Sequence, residues 1–180
     1  MRIVAGERKG AGLIAPRGAD TRPTSDMVRE AIFSILGDVT GAGVLDPFAG
    51  SGALGLEALS RGAARADFCE TSTAALRALR ANVERLGYAE RCAVRRQDGR
   101  RRLREDHAAG RTYDLMLIDP PYRMLAALQD EFLLHLPGLL APGGRLVIEG
   151  PAGEGSLPLQ LQLARSRVHG GTRVSVYRHE

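Results

Sequence analysis

From residue 43 onward, short apolar runs alternate with amphipathic ones, and this alternation restricts the fold more than any other feature of the chain. Val44-Leu45 precedes a helical pattern over 52–61, and Ala66 to Cys69 precedes another over 73–86. Ala93 to Gln97 comes next, then Tyr113 to Ile118 with a helical pattern over 125–136, and finally Leu146 to Glu149. Apolar strands interleaved with helices predict an α/β fold whose mainly parallel sheet is covered on both faces. The end differs: Leu159 to Arg167 and Thr172 to Arg178 are strand-like runs joined through His169-Gly170-Gly171 with no helix between them. That pattern predicts an antiparallel C-terminal hairpin.

Ahead of the alternation, Arg2-Ile3-Val4-Ala5 and Gly12-Leu13-Ile14-Ala15 flank Gly6-Glu7-Arg8-Lys9-Gly10, so residues 1–22 read as a short basic hairpin or arm. Pro23-Thr24-Ser25-Asp26 supplies helix-start chemistry, and Val28, Ala31, Ile32, Ile35 and Leu36 recur at helical spacing before Gly37. A leading helix is expected over 23–37. The 180 residues suit a single domain, with the core over 43–180.

Val44-Leu45-Asp46-Pro47-Phe48-Ala49-Gly50-Ser51-Gly52 passes from a buried strand into a helix, with glycines where backbone can approach a ligand closely. Gly50-Ser51-Gly52-Ala53-Leu54-Gly55 satisfies G-x-G-x-x-G, and Glu70 follows about 20 residues later, as a ribose-binding acid does in dinucleotide folds. A nicotinamide dinucleotide therefore competes for this loop. Asp46 ends the strand, however, and an acid suits the ammonium and sulfonium of S-adenosylmethionine better than a pyrophosphate. The segment favours the sulfonium cofactor. Glu70, followed by Thr71, and Asp98, followed by Gly99, each end a strand-like run, so both carboxylates should reach the same sheet edge as the loop. Glu70 is assigned to the ribose and Asp98 to the adenine amino group.

Tyr113 to Ile118 ends in Asp119-Pro120-Pro121-Tyr122. The prolines stiffen the turn and push Asp119 away from helical geometry. An exocyclic base amine is a poor nucleophile because its lone pair is delocalised into the ring. A carboxylate at Asp119 and the Pro120 carbonyl can each accept one amine hydrogen, drawing the nitrogen toward tetrahedral geometry. Tyr122 offers a flat face on which an extruded base can stack.

The formal charge is +4, and cations bunch at Arg2 to Arg22 and Arg95 to Arg104, which favours a polyanionic partner. Arg2, Arg8, Lys9, Arg17 and Arg22 are the candidate contacts to such a partner, Arg29 suits either an RNA contact or a simple surface role, and Arg100, Arg101, Arg102 and Arg104 suit a solvated helix face as well. Cys69 and Cys92 lack metal-like spacing and read as buried free thiols, and no metal is expected. No apolar run approaches the roughly 20 residues of a membrane span, and the N-terminus lacks a signal-peptide apolar region. A soluble cytoplasmic monomer is expected.

Together these stretches resemble the amino-group methyltransferases of nucleic acids, and more narrowly the bacterial RsmD-type small-subunit (16S) ribosomal RNA guanine-N2 methyltransferases. The narrower likeness rests on Arg22 to Phe33, Leu45 to Gly62 and the closing Gly171-Thr172-Arg173-Val174-Ser175-Val176-Tyr177. The resemblance implies a Rossmann-like class I methyltransferase with a seven-stranded sheet and S-adenosylmethionine as cofactor. Asp46, Pro47, Phe48, Gly50, Gly52, Glu70, Thr71, Asp98 and Gly99 would line its pocket. It also implies that Asp119 to Tyr122 hold a guanine amine, that the N-terminal arm touches RNA, and that the substrate is an assembled or partly assembled small ribosomal subunit. Thr71-Ser72 depart from the family, which often has an acid two positions after Glu70, and the Asp98 region is unusually arginine-rich.

A sequence-specific DNA amino-methyltransferase shares the tetrapeptide and the glycine loop but normally carries a target-recognition region, for which Tyr122 to Glu180 leaves little chain. A non-catalytic RNA-binding module is the alternative of another class, and the intact Asp119 and glycine loop argue against it.

Overall fold

The computed structural model describes residues 1–16 and 25–180. Arg17, Arg22 and the Pro23-Thr24 portion of the expected helix start lie outside the described residues. The described chain runs α1 (Asp26–Leu36), β1 (Gly43–Asp46), α2 (Ala53–Ser60), β2 (Arg65–Glu70), α3 (Thr73–Leu86), a 3-10 turn (Ala89–Arg91), and β3 (Cys92–Arg96). It continues with α4 (Gly99–Ala108), β4 (Tyr113–Ile118), α5 (Tyr122–Leu139), β5 (Leu140–Pro151), β6 (Gln162–His169), and β7 (Thr172–Arg178).

The strands form one seven-stranded sheet in the order β3-β2-β1-β4-β5-β7-β6. β1 to β5 pair in parallel, and β7 runs antiparallel between β5 and β6. The expected fold class is found, C-terminal hairpin included. Chain order reverses between β2 and β4 on either side of β1, and ligands bind at the carboxyl edge of such a switch point.

The central strands are buried on both faces, since their successive side chains point to opposite sides and each side is covered. Val44, Leu115 and Leu117 pack with apolar residues of α1, α2 and α3, whereas Leu45, Met116 and Ile118 pack with those of α4 and α5. Helix ends follow local chemistry: the Ser25 hydroxyl accepts from the Val28 amide at 3.2 Å, and the Ser72 hydroxyl from the Ala75 amide at 3.3 Å.

Helix α4 is absent from the apolar periodicity, since Leu103 is its one buried apolar side chain. Its inward face is instead a buried polar network. Arg102 donates to Asp106 at 2.6 Å, to Asp67 at 2.9 Å and to the Tyr113 hydroxyl at 2.9 Å, and that hydroxyl donates to Asp106 at 2.6 Å. Arg102 therefore belongs to the interior, while Arg101 and Arg104 keep the solvated face. Arg102→Met is expected to destabilise the protein by about 2–4 kcal/mol, because the buried Asp106 would keep only the Tyr113 hydroxyl and the more distant Arg111 guanidinium at 3.5 Å. Urea unfolding tests this, and a loss below about 1 kcal/mol would show the network to be dispensable.

The N-terminal hairpin forms, with an antiparallel bridge between Arg2 and Gly12 and an Ile3 amide bonded to the Ala11 carbonyl at 2.9 Å. It is docked along its length, Ile3 being fully buried. The buried Glu57 carboxylate of α2 accepts the Val4 amide at 2.7 Å and the Ala5 amide at 3.0 Å, and pairs with Arg61 at 2.7 Å. Asn82 of α3 holds both the amide and the carbonyl of Ile14. Glu57→Ala is expected to cost about 2–4 kcal/mol through orphaned amides. Limited proteolysis should then clip residues 1–16 first, and unchanged resistance would mean the apolar contacts alone hold the hairpin.

Cys69 is buried and Cys92 half-buried, so the expected burial is complete for the first alone. Both are free, and burial pushes each thiol up to about 12. Among the described residues no helix is long and apolar enough to cross a membrane.

Candidate active site

Because β1 to β4 are parallel, the acids at their ends share one edge: Asp46 closes β1, Glu70 closes β2, Asp98 follows β3 and Asp119 follows β4. Asp46 is buried, its Oδ2 accepting from the Gly55 amide at 3.2 Å, while its buried Oδ1 has no partner among the described residues. Burial pushes the Asp46 carboxyl up to about 8; the Gly55 amide opposes this, and the nearby Asp119 and Glu70 charges add to it. A buried carboxylate with one unpartnered oxygen, flanked by the Glu70 and Asp119 charges, suits a cationic ligand.

Glu70 fastens the glycine loop. Its Oε2 accepts the Gly50 amide at 2.9 Å, and its Oε1 accepts the Thr71 and Ser72 amides, each at 2.7 Å. Gly52 has φ +83°, and a Cβ there would lie 2.3 Å from the Leu79 side chain. A Cβ at Gly50 would meet open space, which is where the loop faces outward from the core. Gly99 is demanded by contact: a Cβ would stand 2.3 Å from the Pro47 carbonyl oxygen and 2.9 Å from the Phe48 ring. The loops after β1 and β3 thereby close on one another, and Phe48 also packs edge-on against Phe132 at 6.1 Å.

Asp98 caps α4, accepting the Arg100 amide at 2.8 Å, and the Arg100 guanidinium beside it holds its carboxyl below the usual range. The tetrapeptide leads straight into α5, Pro121 being the cap and Tyr122 the first helical residue, three residues before the expected helix. Asp119 is half-buried and Pro120 buried. The Tyr122 ring is 38% exposed, with its hydroxyl 2.8 Å from Thr172 Oγ1. Thr172 carries no local signal; 50 residues separate it from Tyr122, and it was visible only as part of the closing Gly171 to Tyr177 stretch.

The basic residues divide. Arg29 is fully buried, donating to the Arg2 carbonyl and to Asp26, both at 2.6 Å. It is corrected from an RNA contact to a tie between α1 and the hairpin. Arg2 is exposed beside Asp26. Arg8 and Lys9 are exposed at the hairpin tip, where Glu7 pairs with Arg91 at 2.9 Å just before β3. That is the amino edge of the sheet, opposite the carboxylates.

A pyrophosphate would meet repulsion from Glu70 and Asp119 and would find the Gly50 amide already bonded, whereas an ammonium and sulfonium would favour the ionised form of Asp46. Fold and edge together define a class I methyltransferase that uses S-adenosylmethionine. The chain belongs to the RsmD family of ribosomal RNA methyltransferases: the family described as Conserved hypothetical protein 95 matches residues 1–178. It is 34% identical to ribosomal RNA small subunit methyltransferase D of Escherichia coli (strain K12), over 100% of this chain and 90% of that protein. It is 35% identical to YlbH of Bacillus subtilis (strain 168), over 99% and 98% respectively. Its structure is similar to Escherichia coli yhhF, with a TM-score of 0.83 at 33% identity, covering 100% of this chain and 98% of that one. SMU.776, solved as a complex with SAH, shares the fold at 15% identity, with a TM-score of 0.69 over 88% of this chain and 50% of that one.

Proposed function

We propose that the protein methylates the exocyclic N2 amine of a guanine in 16S ribosomal RNA, within a small ribosomal subunit or its assembly intermediate. We place the reaction in the cytoplasm, carried out by a monomer. The observation that carries this reading is the place of Asp119, directly after β4 at the edge where Asp46 closes the neighbouring β1, with its charge among those that raise the Asp46 carboxyl. On this reading an amine acceptor stands beside the cation-seeking end of the cofactor pocket.

When bound, S-adenosylmethionine supplies an electrophilic methyl on a sulfonium. Asp46 and the Gly50–Gly52 loop would hold its charged end, Glu70 with Thr71 its ribose, and Asp98 its adenine amino group, with Pro47, Phe48 and Gly99 shaping the pocket. The Asp119 carboxylate and the Pro120 carbonyl accept the two amine hydrogens, which localises the nitrogen lone pair and orients it. The Pro121 carbonyl is bonded to the Met124 amide at 2.8 Å, which favours the preceding carbonyl as the one that serves the amine. Asp119 or a water takes the departing proton. Tyr122 stacks on the extruded base.

We assign Arg2, Arg8 and Lys9 to RNA phosphates. Arg8 and Lys9 stand beyond the far end of α2, about 12 Å in length. A folded RNA or a particle can engage that tip and the catalytic edge together.

Labelled methyl transfer to small subunits, free ribosomal RNA and duplex DNA, followed by nucleoside analysis, tests the reading. N2-methylguanosine from subunits or ribosomal RNA is the expected product. Label confined to DNA adenine or cytosine would overturn it.

A further inference from the structure

The closing stretch Gly171 to Tyr177 has no part in the chemistry described above, yet its polar side chains make consistent contacts. Because β7 runs antiparallel to β5, Thr172 sits opposite Pro151, at the carboxyl edge where Asp119 emerges. Arg173 donates to the Ala152 carbonyl at 3.1 Å, to the Ser166 hydroxyl at 3.1 Å and to the Glu154 carbonyl. Ser175 bonds Ser156 at 2.8 Å, and the Tyr177 hydroxyl donates to the Leu157 carbonyl at 2.8 Å. These bonds fasten the segment after β5 against β7, where it walls a cleft of about 390 Å³ beside Leu125 and Gln129 of α5. Thr172 is the exception in the stretch, since its side chain reaches across to Tyr122.

Tyr122 stands in the first turn of α5 with its ring more than a third exposed. A ring so placed can occupy several rotamers, and stacking on a base requires one. A hydroxyl bond to a residue on a strand paired on both sides selects that rotamer before the base arrives.

We propose that Thr172 is a positioning residue for the reaction, holding the Tyr122 ring as a preset wall for the target base. This rests on the reading of Tyr122 as the stacking residue. One neutral hydrogen bond sets the scale, so Thr172→Val should lower kcat/KM for RNA by about five- to tenfold, mostly through KM. Affinity for S-adenosylmethionine and the melting temperature should hold, and Thr172→Ser, which keeps the hydroxyl, should restore activity.

Tyr122→Phe removes the same bond from the other side while keeping the ring. It should lose at least as much as Thr172→Val, and the double variant should be no worse than Tyr122→Phe alone. Wild-type kinetics in Thr172→Val, equal impairment in Thr172→Ser, or multiplicative losses in the double variant would each overturn the assignment of Thr172 alone. A wild-type protein that transfers no methyl to any RNA would instead overturn the reading of Tyr122, and this inference with it.

Discussion

Asp119→Ala is expected to reduce methyl transfer to RNA by about a thousandfold or more while leaving affinity for S-adenosylmethionine within a few fold. The loss is large because no other side chain of the tetrapeptide can accept an amine hydrogen as a carboxylate does, and without that acceptor the nitrogen lone pair stays in the ring. Cofactor affinity should survive because Asp119 is one of several carboxylates at this edge, and its charge also opposes ionisation of Asp46. Removing it should let Asp46 ionise at lower pH, which favours a cationic ligand. Asp119→Asn keeps one carbonyl acceptor and should retain more activity than Asp119→Ala. Single-turnover rates at saturating cofactor, paired with calorimetric affinities, separate the effects. A variant that turns over normally would remove Asp119 from the chemistry.

The second large effect belongs to Asp46. Asp46→Asn should weaken cofactor binding by about a hundredfold, since the pocket loses the buried charge that faces the cation. The same substitution should stabilise the ligand-free protein. Burial raises the Asp46 carboxyl from 3.8 to about 8, so the folded state keeps a proton that the unfolded chain releases. Its contribution to stability is complete below about pH 4 and is lost as pH rises through about 8.

Asparagine cannot ionise, so the melting-temperature gap in favour of the variant should widen across that window and flatten above it. Cofactor binding below about pH 8 should release close to one proton from the wild-type protein and none from Asp46→Asn. Calorimetry in buffers of different ionisation enthalpy measures this directly. A proton balance of zero at pH 7 in the wild type would mean that Asp46 is already ionised there.

How much of this could be read in advance differs from element to element. The central strands were placed within a few residues because burial on both faces leaves an uninterrupted apolar run, as in Tyr113 to Ile118. The acids Asp46, Glu70, Asp98 and Asp119 were legible as a group for a similar reason: a parallel sheet brings every strand end to one edge, whatever the details of packing. Helix α4 was harder, because the pattern that normally reveals a helix is apolar and its inward face is Arg102 with Asp106. Arg29 was misread because a guanidinium is recognised as buried only once its partners are known. Those partners are the Arg2 carbonyl, 27 residues away, and Asp26.

Sequence by itself thus determined the class of fold, the sheet edge where the acids gather and the stiff turn that follows β4, since each follows from local periodicity, turn chemistry and the direction of parallel strands. Tertiary structure alone decided which cations are free to meet RNA, where the hairpin tip lies relative to the site, and that Thr172 holds Tyr122. Each of these depends on contacts between segments far apart in the chain. Such contacts are set by how helices and sheet pack, and no short stretch of residues encodes that.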